Sequence, residues 1–154
     1  MRAERGVTYL ELVATAGIVL ILASAVLPLS RVVVKRQKEI ELRRALRQMR
    51  TAIDAYHTAV ENGLIGGVDL KLGSDGYPED LDVLVEGVSQ LGTLGQKLKF
   101  LRRIPMDPMT NSDEWGKRCY QDEPDSTSWC GENVWDVYSQ SLGVGLNEKP
   151  YSEW

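Results

Sequence analysis

Two cysteines, one histidine and a carboxylate inside an otherwise apolar run are the residues of this 154-residue sequence whose types and spacing could do chemistry. Cys119 and Cys130 could join in a disulfide, pair with another chain, or supply half of a zinc site. No histidine lies near them to complete a tetrahedral set. His57, the sole histidine, sits beside Tyr56 with no neighbouring nucleophile motif, no Gly-rich phosphate loop and no metal spacing, and reads as a surface residue. The many acids after Asn62 could contain a carboxylate pair for hydrolysis, but at this density they read as solvated surface. Trp115, Trp129, Trp135 and Trp154 could form a carbohydrate or adhesion surface, or pack in a core and at subunit contacts. Glu11 lies one turn into the apolar run, where an ionised carboxylate costs about 2.5 to 3.5 kcal/mol at mid-bilayer depth and less near the edge.

The elements that must position these residues divide the chain in two. The formal net charge of −4 hides 10 basic and 6 acidic residues before Asn62, then 8 basic and 16 acidic after it. Only 2 of the 14 glycines precede Gly63, and 5 of the 6 prolines follow it. The first part reads as rod and the second as globule. Residues 7–29 are almost entirely apolar, and about 23 residues at roughly 1.5 Å each give about 34 Å of helix, enough to cross a bilayer. Basic residues flank both ends, Arg2 and Arg5 before and Arg31, Lys35 and Arg36 after, so charge alone leaves the orientation open. A secretory leader cut after Ala23-Ser24-Ala25 is the competing reading, and neither Glu11 nor Pro28 suits a disposable leader. Pro28 predicts a kink in the helix.

Beyond residue 30, Leu42, Leu46, Met49, Ile53, Tyr56 and Val60 recur at spacings of 4, 3, 4, 3 and 4, one face of a helix. Glu39 precedes Arg43 by four residues, a favourable ion-pair spacing. The helix is expected to run over residues 7–61, its second half laying this stripe on a globular head. The stretch 31–62 carries 8 basic and 4 acidic residues, read as a solvated face rather than a nucleic-acid surface. In the head, residues 63–76 read as a loop and 77–85 as a short helix stopped at Gly87. Pro105 and Pro108 mark a turn, and strands are expected near 117–121 and over 134–139, where Val134, Asp136 and Tyr138 alternate with Trp135, Val137 and Ser139.

The segment Arg5-Gly6-Val7-Thr8-Tyr9-Leu10-Glu11-Leu12-Val13 resembles the prepilin signature of type IV pilins and type II secretion pseudopilins. In that family a peptidase cuts after the glycine, a glutamate falls at the fifth mature position and a proline often at the twenty-second. Gly6, Glu11 and Pro28 fit all three. The resemblance implies that the leader, residues 1–6, stays cytoplasmic and is removed, that Val7 is N-methylated, and that its cationic amine neutralises Glu11 of a neighbour during assembly. Val7 and Tyr9 depart from the usual Phe and Leu. Tyr77-Pro78, the run to Pro108, Trp115-Gly116 and Val137-Tyr138-Ser139 extend the likeness over most of the chain, toward the major pseudopilin of type II secretion.

The implied fold is α+β and type IV pilin-like: leader 1–6, hydrophobic transmembrane and assembly helix 7–30, amphipathic helix 31–62, and a periplasmic head 63–154 with a small antiparallel sheet. The implied location is the bacterial inner membrane, single-pass with the N-terminus inside, and an envelope filament after assembly. In that oxidising compartment a Cys119–Cys130 disulfide is the expected pairing. Major pseudopilins close with an acidic calcium loop; here Ser141-Leu142-Gly143-Val144-Gly145-Leu146-Asn147-Glu148 lacks the aspartates, so no cofactor and no metal are expected, calcium being the alternative only if backbone or distant acids supply the missing oxygens.

The function implied is structural rather than enzymatic. The subunit would polymerise into a helical pseudopilus that drives type II secretion. Its implied partners are copies of itself, minor pseudopilins, the prepilin peptidase, the inner-membrane platform, the secretin machinery and lipid before assembly, with no nucleic acid. A surface type IV pilus subunit for adhesion, motility or DNA uptake, and a signal-anchored periplasmic hydrolase, are the alternatives.

Overall fold

The computed structural model describes residues 6–66, 73–92 and 95–154, and within the first helix the side chains of residues 25–29 are not described. The order is α1 (Tyr9–Glu61), α2 (Leu81–Glu86), β1 (Val88–Ser89), β2 (Lys97–Leu98), β3 (Gly116–Arg118), β4 (Asp136–Tyr138) and a closing 3-10 turn (Tyr151–Glu153). The fold is α+β, one long helix with two small antiparallel two-stranded sheets rather than one.

The 53 residues of α1 begin where Thr8 caps the first turn, its hydroxyl accepting the Glu11 N–H at 3.3 Å and its carbonyl the Leu12 N–H at 3.1 Å. The helix stops where Gly63 takes a φ of 69°, open to glycine without steric cost. There the Leu64 N–H reaches the Ala59 carbonyl and the Gly63 N–H reaches that of Val60, the paired bonds of a Schellman cap. Pro28 lies within the helical backbone, but the kink expected at its ring falls on side chains outside the described residues.

The chain forms two compact units, Met1–Gln37 and Lys38–Trp154. The first contributes helix whose described apolar side chains are largely exposed, Tyr9 at 84% and Ile21 at 72% among them. In the second, the stripe read from the sequence faces inward: Leu42, Leu46, Met49, Ile53 and Tyr56 are buried with Leu84, Leu101, Trp115, Val134 and Val137. Fully burying one such aliphatic side chain is worth about 1.5 to 3 kcal/mol, so this seam is what fastens the head to residues 38–61.

The short elements differ from the sequence reading for local reasons. The helix expected at 77–85 starts only at Leu81, because Asp80 is its N-cap and accepts the Leu81 N–H at 2.6 Å. Pro78 instead lends its carbonyl to the Val134 N–H at 2.8 Å. Strand β3 pairs with β4 in the register Gly116↔Tyr138, Lys117↔Val137 and Arg118↔Asp136, and ends at Arg118 rather than at residue 121. The reason is that Asp122 takes the Cys119 N–H and Asn133 takes the Tyr120 N–H, which removes both donors from any ladder. Simple alternation along 134–139 gives way to burial of Val137, Tyr138 and Ser139 together. Gly116 is required there, since a Cβ at that position would run into the Tyr138 ring.

Candidate functional site

The N-terminal residues singled out in the sequence sit together at the start of α1. Gly6 and Val7 precede the helix, Val7 is exposed, and Glu11 lies exposed in the first turn, where the positive end of the helix dipole favours a carboxylate. A methyl group built on Gly6 meets nothing within 4 Å, so folding does not demand glycine there. Further along, the Thr15 hydroxyl donates to the Leu12 carbonyl at 3.0 Å and the Ser24 hydroxyl to that of Ile21 at 2.7 Å. These hydroxyls are satisfied within the helix itself. Among the described residues no helix is long and apolar enough to cross a membrane. The described apolar side chains before the gap end at residue 24, short of the roughly 20 residues a bilayer needs, and residues 25–29 lie outside them.

Cys119 and Cys130 are bonded to each other, with Cα atoms 6.0 Å apart, and close an 11-residue separation between β3 and β4. Asp122 lies close to both sulfurs, but they are spent on each other and the carboxylate already accepts the Cys119 N–H, so the trio is not a metal site. In the closing segment after β4, the Asn147 side-chain oxygen accepts the Lys149 N–H at 3.3 Å, and the Ser152 carbonyl accepts from Arg118 at 2.8 Å.

His57 is not a free surface residue. Its ring stacks on Tyr77 at 4.3 Å, Tyr77 stacks on Tyr120 at 5.5 Å, and Tyr120 meets the edge of Trp135 at 6.3 Å. Its Nδ1 lies 3.8 Å from Glu61. A buried serine–carboxylate contact exists elsewhere, Ser139 donating to Asp107 at 2.5 Å, but both are fully buried and Asp107 also holds the Met109 N–H, as a turn-forming aspartate does. The described contacts of His57 are with Tyr77 and Glu61, so they do not complete a serine relay with this pair.

Sequence reasoning missed the polar ties between α1 and the last segment of the head. Glu39, expected beside Arg43, turns inward: buried to 6% exposure, it accepts the Leu146 N–H at 2.7 Å and the Tyr151 hydroxyl at 3.1 Å. Burial, and then this bond, push the Tyr151 phenol up to about 12. Arg43 instead lies over the Trp154 ring at 4.3 Å. Arg50 reaches Asp136 at 2.6 Å and the Trp154 carbonyl at 2.6 Å, while Arg118 joins the same Asp136 at 3.4 Å and covers the Tyr138 ring. One aspartate thus balances two guanidiniums, and four backbone carbonyls, of Ser126, Val137, Ser152 and Trp154, take up further donors.

The exposed side of the same helical stretch carries arginines. Arg47 stands between two grooves: one of about 520 Å³ bordered by Arg43, Arg50, Lys149 and Trp154, the other of about 580 Å³ bordered by Arg44, Phe100 and Arg102. On the head, a hollow of about 360 Å³ is rimmed by Asp80, Asp82, Asp113 and Glu114. No family model matches the chain, and no curated protein or solved structure matches it either.

Proposed function

We propose that this chain is a pilin-like structural subunit, processed between Gly6 and Val7 and built into a pseudopilus of the type II secretion kind. The observation that carries the reading is the contrast along α1. Residues 38–61 bury their apolar stripe in a head, whereas the described apolar residues of 9–34 are left bare, with their hydroxyls bonded inside the helix. An apolar surface of that extent is unfavourable in water and needs lipid, or the same helices of other copies, around it. Glu11 then has a role that a plain anchor would not give it. The new amine of Val7 on one subunit neutralises the carboxylate of another, so that a charge tolerated at the membrane edge becomes a pair in the bundle. The disulfide fits a head folded in an oxidising compartment.

Mass spectrometry of the native N-terminus is the test. A chain beginning at N-methylated Val7 is expected, and Gly6→Ala is expected to leave it unprocessed although the fold accommodates the methyl group. An intact Met1, or cleavage after Ala25, would refute the reading. Secretion and piliation measured in a deletion strain then separate a secretion pseudopilus, which loses exoprotein export, from a surface pilus, which loses adhesion, motility or DNA uptake.

A further inference from the structure

We infer that the groove between Arg44, Arg47 and Arg102 is the docking site for the acidic rim, Asp82, Asp113 and Glu114, of a second copy of this chain. The inference rests on the subunit reading above and names its contact. The three arginines are exposed, and the ion pairs among the described residues, which use Arg50, Lys117, Arg118 and His57, engage none of them. No carboxylate borders this groove, and Ala52, Ala55 and Phe100 line it between the charges. Guanidiniums are weakly hydrated cations that lose little on burial against apolar atoms, and their planar forks match carboxylates. The groove therefore suits a protein surface bearing both acids and apolar groups.

The rim supplies both. Asp82, Asp113 and Glu114 are exposed around a hollow whose partly accessible apolar side chain is Ile104, Leu81 at its edge being buried. Lys117, the cation of that hollow, is already held by both Asp80 oxygens at 2.8 Å. Three carboxylates thus face three guanidiniums. The two surfaces share no residue, so a copy that offers its groove to one neighbour keeps its rim for another. Such a heterologous contact leaves an unused half at each end and continues into an open assembly instead of closing as a dimer. Arg44 and Arg47 of the basic stretch 31–62, with Arg102, and the carboxylates of the acidic head become the two halves of one contact, which gives residues to the opposition of charge already visible in the sequence.

The experiment uses the full chain in membranes, with differently tagged copies produced together. Because Cys119 and Cys130 are joined, an introduced cysteine is the only free thiol. Mild oxidation of copies carrying Arg47→Cys mixed with copies carrying Asp113→Cys is expected to link the two tags, and neither variant alone is expected to link to itself. Reversing the groove with Arg44→Glu and Arg47→Glu is expected to lower oligomer yield about tenfold or more, and adding Asp82→Lys and Asp113→Lys to the same chain to restore it. Cross-linking no greater in the mixture than in either variant alone, or a yield indifferent to the reversal, would overturn the contact. Methylated Val7 in polymers that lack the mixed cross-link overturns this interface and leaves the subunit reading standing. An unprocessed chain that still gives the cross-link does the reverse.

Discussion

At the scale of single residues, two carboxylates in one helix meet opposite fates. Glu11 is exposed at a helix start, and Glu39 is buried with two donors. On the subunit reading proposed above, replacing Glu11 with Ala is expected to leave cleavage after Gly6 largely possible and to impair assembly; normal filaments from that variant would remove the charge-pairing argument. Tyr151 gives a pH test. Its folded pKa lies above the ordinary value near 10, so the protonated phenol favours the fold. That contribution is complete below pH 10 and is lost as pH rises through about 12. Burial raises the Tyr77 phenol as well, and acts in the same direction. Denaturant midpoints are expected to fall over this alkaline window, and Tyr151→Phe to flatten part of the fall while costing about 1 to 2 kcal/mol at neutral pH for the donor that Glu39 loses. An unchanged alkaline profile in that variant would show that Tyr151 is not the group responsible. The sequence hid this pair because Glu39 has a helical neighbour at i+4, whereas its actual partners lie more than a hundred residues along the chain.

At the scale of elements, what was legible followed from periodicity and what was not followed from side-chain capture of backbone donors. The stripe from Leu42 to Val60 was readable because a helix repeats every 3.6 residues, and every member except the half-buried Val60 is buried. The strand bounds were not readable, because Asp122 and Asn133 close the turn after β3 by hydrogen bonds whose partners depend on tertiary placement. The aromatic series from His57 to Trp135 was missed for the same reason, since its members come from α1, the turn before α2 and both sides of the disulfide loop. The cysteine pair was legible once a compartment was assigned. Its removal by Cys119→Ser with Cys130→Ser is expected to lower head stability by about 3 kcal/mol, measured as a denaturant midpoint, and thiol titration of the unfolded native chain is expected to find none free. Two reactive thiols would contradict the bond.

At the scale of the molecule, the two units differ in what stabilises them. The unit Lys38–Trp154 has its own core, disulfide and charge network, whereas the described residues of Met1–Gln37 present apolar side chains outward. Removing residues 1–37 is therefore expected to leave a head that stays in solution without detergent and unfolds in one cooperative transition by circular dichroism and tryptophan fluorescence. Aggregation, or a broad non-cooperative change, would mean that the head depends on the removed helix. The sequence reading placed a change of surroundings after residue 30 of one continuous helix, and the observed division between Gln37 and Lys38 also falls inside α1, because helical backbone bonds are indifferent to what surrounds them.

The two polar ties on α1 also bear on mechanics. Glu39 and Arg50 are 11 positions apart, about 16 Å along the helix, and both grip the last segment of the chain, at Leu146 and Tyr151 in one case and at Asp136 and Trp154 in the other. A force applied along the helix meets two anchors bearing the load in parallel, so the head cannot peel away one bond at a time. A subunit that transmits thrust would have its yield point set by the rupture of both anchors together with the apolar seam between them.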